Sequence, residues 1–233
     1  MITLISFDLD DTLWDAGPVL ARAEDVQYAW VARHLPRAAA AHTVEDLQHR
    51  RRLLAREQPQ LAHDFTQLRL AALRELCIRY DYPVNLAETG IEAFLEARST
   101  VELYTEVDTV LRELGASYRL AALTNGNTNL ARAGVAAYFE FALSPAETGV
   151  SKPDPRMFEA MLAQADVAPG AVVHVGDEPY HDIEGAHRAN IRSIWINRNA
   201  REWPAEYRRA HAEITTLDEL PAVLAQLTAG QRT

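Results

Sequence analysis

Short apolar runs alternate with helix-length segments over much of this chain. Ile2–Phe7, Tyr118–Leu123 (interrupted by Arg119), Phe139–Leu143, Ala171–Val175 and Ile194–Ile196 each have strand length and end in polar or glycine-containing turns. Val107–Leu114, Leu130–Ala137, Pro155–Ala165 and Ile183–Ala189 fall between them and read as helices. This alternation predicts the α/β class, with a Rossmann-like, doubly wound parallel sheet covered on both faces. Right-handed crossovers then place every strand's carboxyl end on one edge.

From about Trp14 to about Arg98 the rhythm changes to helix after helix. Val19–His34 carries Val19, Val26, Trp30 and Val31 among charged and alanine positions. Thr43–Glu57 is strongly charged around Leu47, Leu53 and Leu54, and Phe65–Tyr80 spaces Leu68, Leu73 and Leu76 as a helix does. Pro36, Pro59 and Pro83 punctuate the run. About eighty residues of this kind are too many for a crossover. The reading is a sheet core of residues 1–14 and 99–233 and an α-helical cap subdomain of residues 15–98. The insertion leaves the sheet at a strand's carboxyl end, where ligands bind in open α/β sheets, and is placed to act as a lid.

Composition narrows the function classes. The 233 residues are 48% hydrophobic and 24% charged, which excludes wholesale disorder. Acidic residues number 33 against 23 basic, for a formal net charge of −10. That balance argues against nucleic acid or a membrane surface as partner, and it allows carboxylates to gather around a cation. No run approaches the ~18 apolar residues of a membrane span. The first apolar run lacks the basic flank and the length of a signal peptide. The single cysteine, Cys77, excludes an intrachain disulfide and fits a reducing compartment, so a cytoplasmic protein is expected. Set among Leu73, Leu76 and Tyr80, Cys77 itself reads as a small buried hydrophobe. One basic residue of the 23 is a lysine, Lys152. A chain that otherwise uses arginine has kept a compact ammonium there.

Four clusters carry candidate chemistry. The first strand runs into Asp8-Leu9-Asp10-Asp11-Thr12. On an extended chain, Asp8 and Asp10 face one site and Asp11 faces away. Two such carboxylates suit a nucleophile and a proton shuttle; the plain alternative is a polar strand end with one Asp capping a turn. Thr124-Asn125-Gly126-Asn127-Thr128 follows another strand and offers a hydroxyl and backbone N–H groups to phosphate oxygens, or else a helix N-cap. Ser151-Lys152-Pro153-Asp154-Pro155 holds Lys152 at the approach to a helix, placed to pair with a carboxylate and a bound anion. Gly176-Asp177 ends a third strand, and Asp177 reads as a hard oxygen ligand suited to magnesium. Asp182 reads as a cap on the Ile183 helix. His174, His181 and His187 have no recognised zinc spacing and read as structural or loop residues; neither a GxGxxG after the first strand nor a Walker lysine motif is present.

Taken together in this order, the four clusters resemble the haloacid dehalogenase superfamily of phosphohydrolases, nearly end to end, with the helical insertion as its α-helical cap. The resemblance implies a sheet with strand one central, flanked by the strands ending at Thr124 and Asp177. It implies that Asp8 is the nucleophile that becomes an aspartyl-phosphate, and that Asp10 protonates the leaving alcohol and then activates water. Thr124 and Asn125 with nearby N–H groups would bind phosphate, and Lys152 would steady Asp8 and the phosphoryl charge. Mg2+ would be held by Asp8, the Asp10 carbonyl and Asp177, with Asp182 and Thr12 just outside the ligand sphere. A phosphate dianion and several carboxylates need such cations to share a site.

Asp10 separates branches of the superfamily. A departing halide takes no proton, and dehalogenases lack an acid at this position, so Asp10 points to a phosphate monoester. The expected function is hydrolysis of a small phosphorylated metabolite. A sugar-phosphate phosphomutase, which keeps the same Asp, is the enzymatic alternative. A non-catalytic phosphate-binding regulator would be marked by loss of a motif residue, and none is missing. Phe7–Leu13, His63-Asp64 with Arg69, Thr124–Asn127 and His174–Asp177 further resemble the bacterial flavin mononucleotide phosphatase group, which is implicated with a riboflavin precursor, 5-amino-6-(5-phosphoribitylamino)uracil. His63, Thr66 and Arg69 are spaced to form one polar helix face that reads substrate; the alternative is a solvated helix start capped by His63 or Asp64.

Overall fold

A computed structural model describes residues 1–229. The chain enters the sheet as β1 (Leu4–Phe7) and leaves it for α1 (Ala16–His34), α2 (Pro36–Ala39), α3 (Val44–Glu57), α4 (Phe65–Arg79) and α5 (Leu86–Arg98). It returns through α6 (Val107–Gly115) to β2 (Arg119–Leu123) and β3 (Phe141–Leu143), followed by α7 (Pro145–Thr148), α8 (Pro155–Ala165) and β4 (Val172–Gly176). After a π-helical turn over Pro179–Glu184 come α9 (Gly185–Arg188), β5 (Arg192–Ile196), β6 (Ala212–Ile214) and α10 (Leu220–Ala229). Two compact units result. One comprises Met1–Asp15, Glu102–Gly126 and, of the described residues, 135–229; the other comprises Ala16–Val101 and Asn127–Gly134.

In the first unit the strands are parallel throughout, in the order β3-β2-β1-β4-β5-β6. β1 is central as expected, and all four of its residues are buried. Phe7 sits beside Ala122 of β2 and Val175 of β4, so the chain emerges at Asp8, Thr124 and Asp177 on one edge. The strand order reverses at β1, and open α/β sheets form their ligand crevice at such a point. Met157, Phe158 and Met161 of α8 pack with Leu4, Leu123 and Val172 against the sheet. α8 starts where the sequence marks it: the Asp154 side chain accepts the Arg156 N–H, and Pro155 occupies the first turn.

The helical unit has its own core, with Val31, Leu35, Leu47, Leu73, Leu76, Cys77, Ile91 and Phe94 buried together. Thr43 and Asp46 form a reciprocal cap on α3, and Asp64 caps α4 by accepting from the Thr66 and Gln67 N–H groups. Among the described residues no helix is long and apolar enough to cross a membrane.

Several elements depart from the sequence reading. β6 is an edge strand of three residues with a glutamate at its centre, so it shows no apolar run. Leu130–Ala137 is not a helix. Gly134 at φ 78° breaks it, and the Asn129 side chain accepts the Arg132 N–H in a local turn. Residues 127–134 also group with the helices rather than with the sheet, where the Asn129 N–H donates to Ser99 Oγ at 2.9 Å.

Gly90 lies where α5 comes close to Trp30 and Leu73. A Cβ there would lie 2.8 Å from the Trp30 ring and 3.1 Å from Leu73. Alanine's advantage in a helix is about 1 kcal/mol, against an overpacking cost of about 1–3 kcal/mol. Gly90→Ala is therefore expected to lower Tm in thermal denaturation; an unchanged or higher Tm would show that the Trp30 ring yields freely.

Candidate active site

Each of the three strand ends delivers one side chain to the same place. An open cavity of about 140 Å3 is lined by Asp8, Asp10 and Asp11 after β1, Thr124 and Asn125 after β2, Lys152 before α8, and Asp177, Glu178, His181 and Asp182 after β4. Carboxylates dominate this wall, and Lys152 is its sole ammonium. Lys152 is 2% exposed, and its Nζ donates to Asp8 Oδ1 and to Asp182 Oδ1, each at 2.6 Å. Asn125 holds the lysine's backbone from both sides. Its Nδ2 donates to the Lys152 carbonyl at 2.9 Å and its Oδ1 accepts the Lys152 N–H at 2.7 Å. The Asn125 amide thus acts first as a clamp on Lys152, whereas the sequence reading had it facing phosphate.

Asp182 is not a helix cap. It lies within the π-helical turn, and its Oδ2 accepts the Glu178 N–H at 3.0 Å while Oδ1 accepts from Lys152 and from His174 Nε2 at 3.1 Å. His174 in turn meets Ser6 Oγ through Nδ1 at 2.8 Å. The chain Ser6–His174–Asp182–Lys152–Asp8 therefore ties the sheet interior to the cavity. Gly176 makes room for it, since a Cβ there would collide with the Asp182 carboxyl. Asp11 also departs from expectation. It lines the cavity because the extended alternation ends after Leu9, and Asp11 takes a left-handed conformation at φ 58°.

Thr124 Oγ1 accepts the Gly126 N–H at 2.8 Å, which leaves its own O–H to donate into the cavity. Asp177 is held by its backbone: its carbonyl accepts from Trp195 Nε1 at 2.7 Å and from the Arg201 guanidinium. Arg201 also reaches Asp177 Oδ2 at 3.1 Å. Thr12 does not line the cavity. Its hydroxyl is buried with no hydrogen-bond partner among the described residues, and its carbonyl accepts from Arg198 at 2.8 Å.

Charge shifts follow from this crowding. Burial foremost, with the negative charges of Asp182 and Asp10 adding to it and Lys152 opposing it, pushes the Asp8 carboxyl up to about 7. Burial and the neighbouring Asp182 and Asp8 push Asp177 up to about 9. Burial would also raise Asp182, but Lys152 and His174 outweigh it and hold that carboxyl below the usual range. Burial works against the Lys152 ammonium, yet Asp182 and Asp8 keep its pKa above the ordinary lysine value. Burial lowers His174. Neutral imidazole then donates from Nε2 to Asp182 and accepts the Ser6 hydroxyl at Nδ1.

Carboxylate oxygens of Asp8, Asp177 and Asp182 lie within 4.8 Å of one another. Hard, mutually repelling oxygens in a buried cluster fit a small divalent cation such as Mg2+.

The residues read as a polar substrate-facing helix surface lie in the helical unit. Asp64 is the N-cap of α4, and Thr66 Oγ1 accepts from Asn127 Nδ2 at 3.0 Å. His63 is half-buried. Arg69 turns inward: its guanidinium donates to Gln27 and Glu24 at 2.7 Å each and lies 3.5 Å from the centre of the Phe94 ring. A buried guanidinium needs such partners, and Glu24 and Gln27 on α1 supply them.

Sequence reasoning passed over Ser6, read His174 only as a structural or loop residue, and passed over Trp195 and Arg201. The signal for the first two was present: each is the polar intruder in an otherwise apolar buried strand, and the two are register partners.

Comparison with known proteins agrees with the geometry. Residues 2–190 match the model of the haloacid dehalogenase-like hydrolases. The chain is 32% identical over 199 residues to the 5-amino-6-(5-phospho-D-ribitylamino)uracil phosphatase YigB of Escherichia coli (strain K12), covering 84% of this chain and 83% of that protein. It is 40% identical over 116 residues to a phosphoserine phosphatase of Thermus thermophilus, covering 47% of each. A crystal structure described as 2-haloacid dehalogenase from Pseudomonas syringae superposes with a TM-score of 0.91 at 40% identity, covering 97% of this chain and 99% of that one.

The raised carboxyls have a consequence for stability. Folded values of about 7 for Asp8 and 9 for Asp177 exceed the unfolded value of ~3.9. The folded protein therefore holds more protons than the unfolded chain, and stability falls as pH rises through those values. Between pH 7 and 9 His174 is neutral in the folded protein and largely so in the unfolded chain, and the loss due to Asp177 is on the order of 2 kcal/mol. Metal-free protein is expected to lose Tm across this window. Asp177→Asn should flatten the decline, and added Mg2+ should raise Tm more at pH 8 than at pH 6. A Tm in the natural protein no more pH-dependent than in Asp177→Asn would refute the shift.

Proposed function

The chain belongs to the haloacid dehalogenase-like hydrolase family, and on that premise we propose that it is a magnesium-dependent phosphomonoesterase acting through an aspartyl-phosphate on Asp8. The observation that carries this reading is the Lys152 ammonium, bonded at 2.6 Å to both Asp8 and Asp182 in a cavity walled largely by carboxylates. An anionic substrate enters such a place only with cationic help. Asp8, Asp177 and the Asp10 carbonyl would hold Mg2+, which supplies neutralising charge for the phosphate dianion and the carboxylates around it. Lys152 orients the Asp8 carboxylate and meets the charge on the transferring group. The Thr124 hydroxyl donates to a phosphoryl oxygen. Asp10 gives its proton to the leaving alcohol and then takes one from the attacking water. The protein contributes mainly positioning and charge stabilisation to this in-line transfer.

Likeness to YigB over most of both chains supports a small phosphorylated metabolite as substrate, with the riboflavin precursor phosphate or flavin mononucleotide as the specific proposal. The Pseudomonas structure favours a second reading, hydrolytic dehalogenation. Asp10 weighs against it, because a halide leaves without a proton. A phosphomutase would need a bisphosphate activator and would release little inorganic phosphate.

Release of phosphate from flavin mononucleotide and a panel of metabolites, with and without Mg2+, tests the proposal. Chelation is expected to abolish turnover, and Asp8→Asn to reduce it by at least about 10³-fold. Lys152→Arg should lose most activity, since the buried space that a compact ammonium fills between Asp8 and Asp182 must then take a larger planar group. Equal rates in Asp8→Asn and the natural protein, or chloride release from 2-chloropropionate in place of phosphate release, would overturn the reading.

A further inference from the structure

The turn after β1 is fixed from several directions. The Leu9 carbonyl accepts the Thr12 and Leu13 N–H groups at 3.3 and 2.8 Å, and the Asp11 N–H donates to the Trp14 carbonyl at 2.8 Å. Trp14 bridges through its backbone to Asp10 on one side and to Leu103 on the other. Its side chain is fully buried. Held in this way, the indole donates its Nε1–H to Asp10 Oδ1 at 2.9 Å. An indole N–H is a donor only and does not titrate, so the contact persists in both protonation states of the carboxyl.

We propose that Trp14 is a positioning residue for Asp10, fixing the carboxyl so that its acid proton faces the departing oxygen of the phosphate ester. The proposal rests on the reading of Asp10 as that acid. With Oδ1 held by the indole N–H, the proposal puts the acid proton on Oδ2. In the first half-reaction a carboxylate oxygen of Asp8 bonds to phosphorus. The ester P–O bond breaks, its electron pair stays with the alcohol oxygen, and that oxygen takes the Asp10 proton. Neutral alcohol, phosphorylated Asp8 and ionised Asp10 result, and the same indole N–H then stabilises the new carboxylate. A tryptophan serving only as filler would affect all substrates alike. One that aims the acid matters most when the leaving group is a strongly basic alkoxide, and least when it is a nitrophenolate able to leave unprotonated.

The test compares kcat/KM for an alkyl phosphate and for p-nitrophenyl phosphate, in Mg2+, on the same preparation of each protein. This constant covers every step up to departure of the alcohol, and the ratio of the two values cancels any inactive fraction. Trp14→Phe is expected to lower the alkyl-to-aryl ratio about tenfold or more. Asp10→Asn should lower it further. Should Trp14→Phe not fold, site-specific replacement of Trp14 by benzothienylalanine keeps the ring volume and removes only the N–H. An unchanged ratio in the Trp14 variant beside a shifted one in Asp10→Asn would overturn the positioning role and leave the acid in place. An unchanged ratio in Asp10→Asn would remove the acid reading, and this proposal with it.

Discussion

One ammonium between two carboxylates organises this molecule. Lys152 arrives from the segment between α7 and α8, Asp8 from the end of β1 and Asp182 from the turn after β4, and each is at most 7% exposed. Charges so withdrawn from water are tolerated only when paired and hydrogen-bonded. The pairing therefore fixes where three separate segments must end. Much nearby detail serves that end: the Asn125 clamp on the lysine backbone, the bare Cα of Gly176 and the Glu178 N–H on Asp182.

Buried polar residues extend the constraint into the sheet. Ser6 and His174 stand side by side on β1 and β4, and His174 passes its hydrogen bond to Asp182. Leucine or valine at either position would bury more apolar surface. The polar pair instead orients a carboxylate that orients the lysine. On the far side of the cavity, Trp195 and Arg201 hold the Asp177 backbone. The reacting groups are thus fixed from behind by strand residues and by Arg201 beyond β5, while the turn after β1 is held by its own backbone hydrogen bonds.

Legibility in the sequence tracked local signals. The central strand and its neighbours could be read because fully buried parallel strands are continuous apolar runs, and Asp8, Thr124 and Asp177 directly follow them. Lys152 stood out by composition alone. β6 could not be read, since a short edge strand has no apolar run. Asp182 looked like a cap because Asp before a helix usually is one; here the turn is π-helical and its side chain faces a buried lysine. Arg69 looked like part of a polar face because helical spacing does not reveal that Glu24 and Gln27 wait on another helix. Asn125 lines the cavity as expected of a ligand group, but its clamp on Lys152 went unread because that partner lies 27 residues onward. These misreadings have a common cause: side-chain partners distant in sequence.

The scarcity of lysine has a practical side. Arginine meets every other demand for a basic side chain, so the chain presents a single ε-amine, and that amine is buried against the nucleophile. Acylating, cross-linking and conjugating reagents that seek lysine therefore find no such group on the outer surface. Modification at this residue becomes a direct gauge of how often the centre opens to solvent, with no other lysine to share the label.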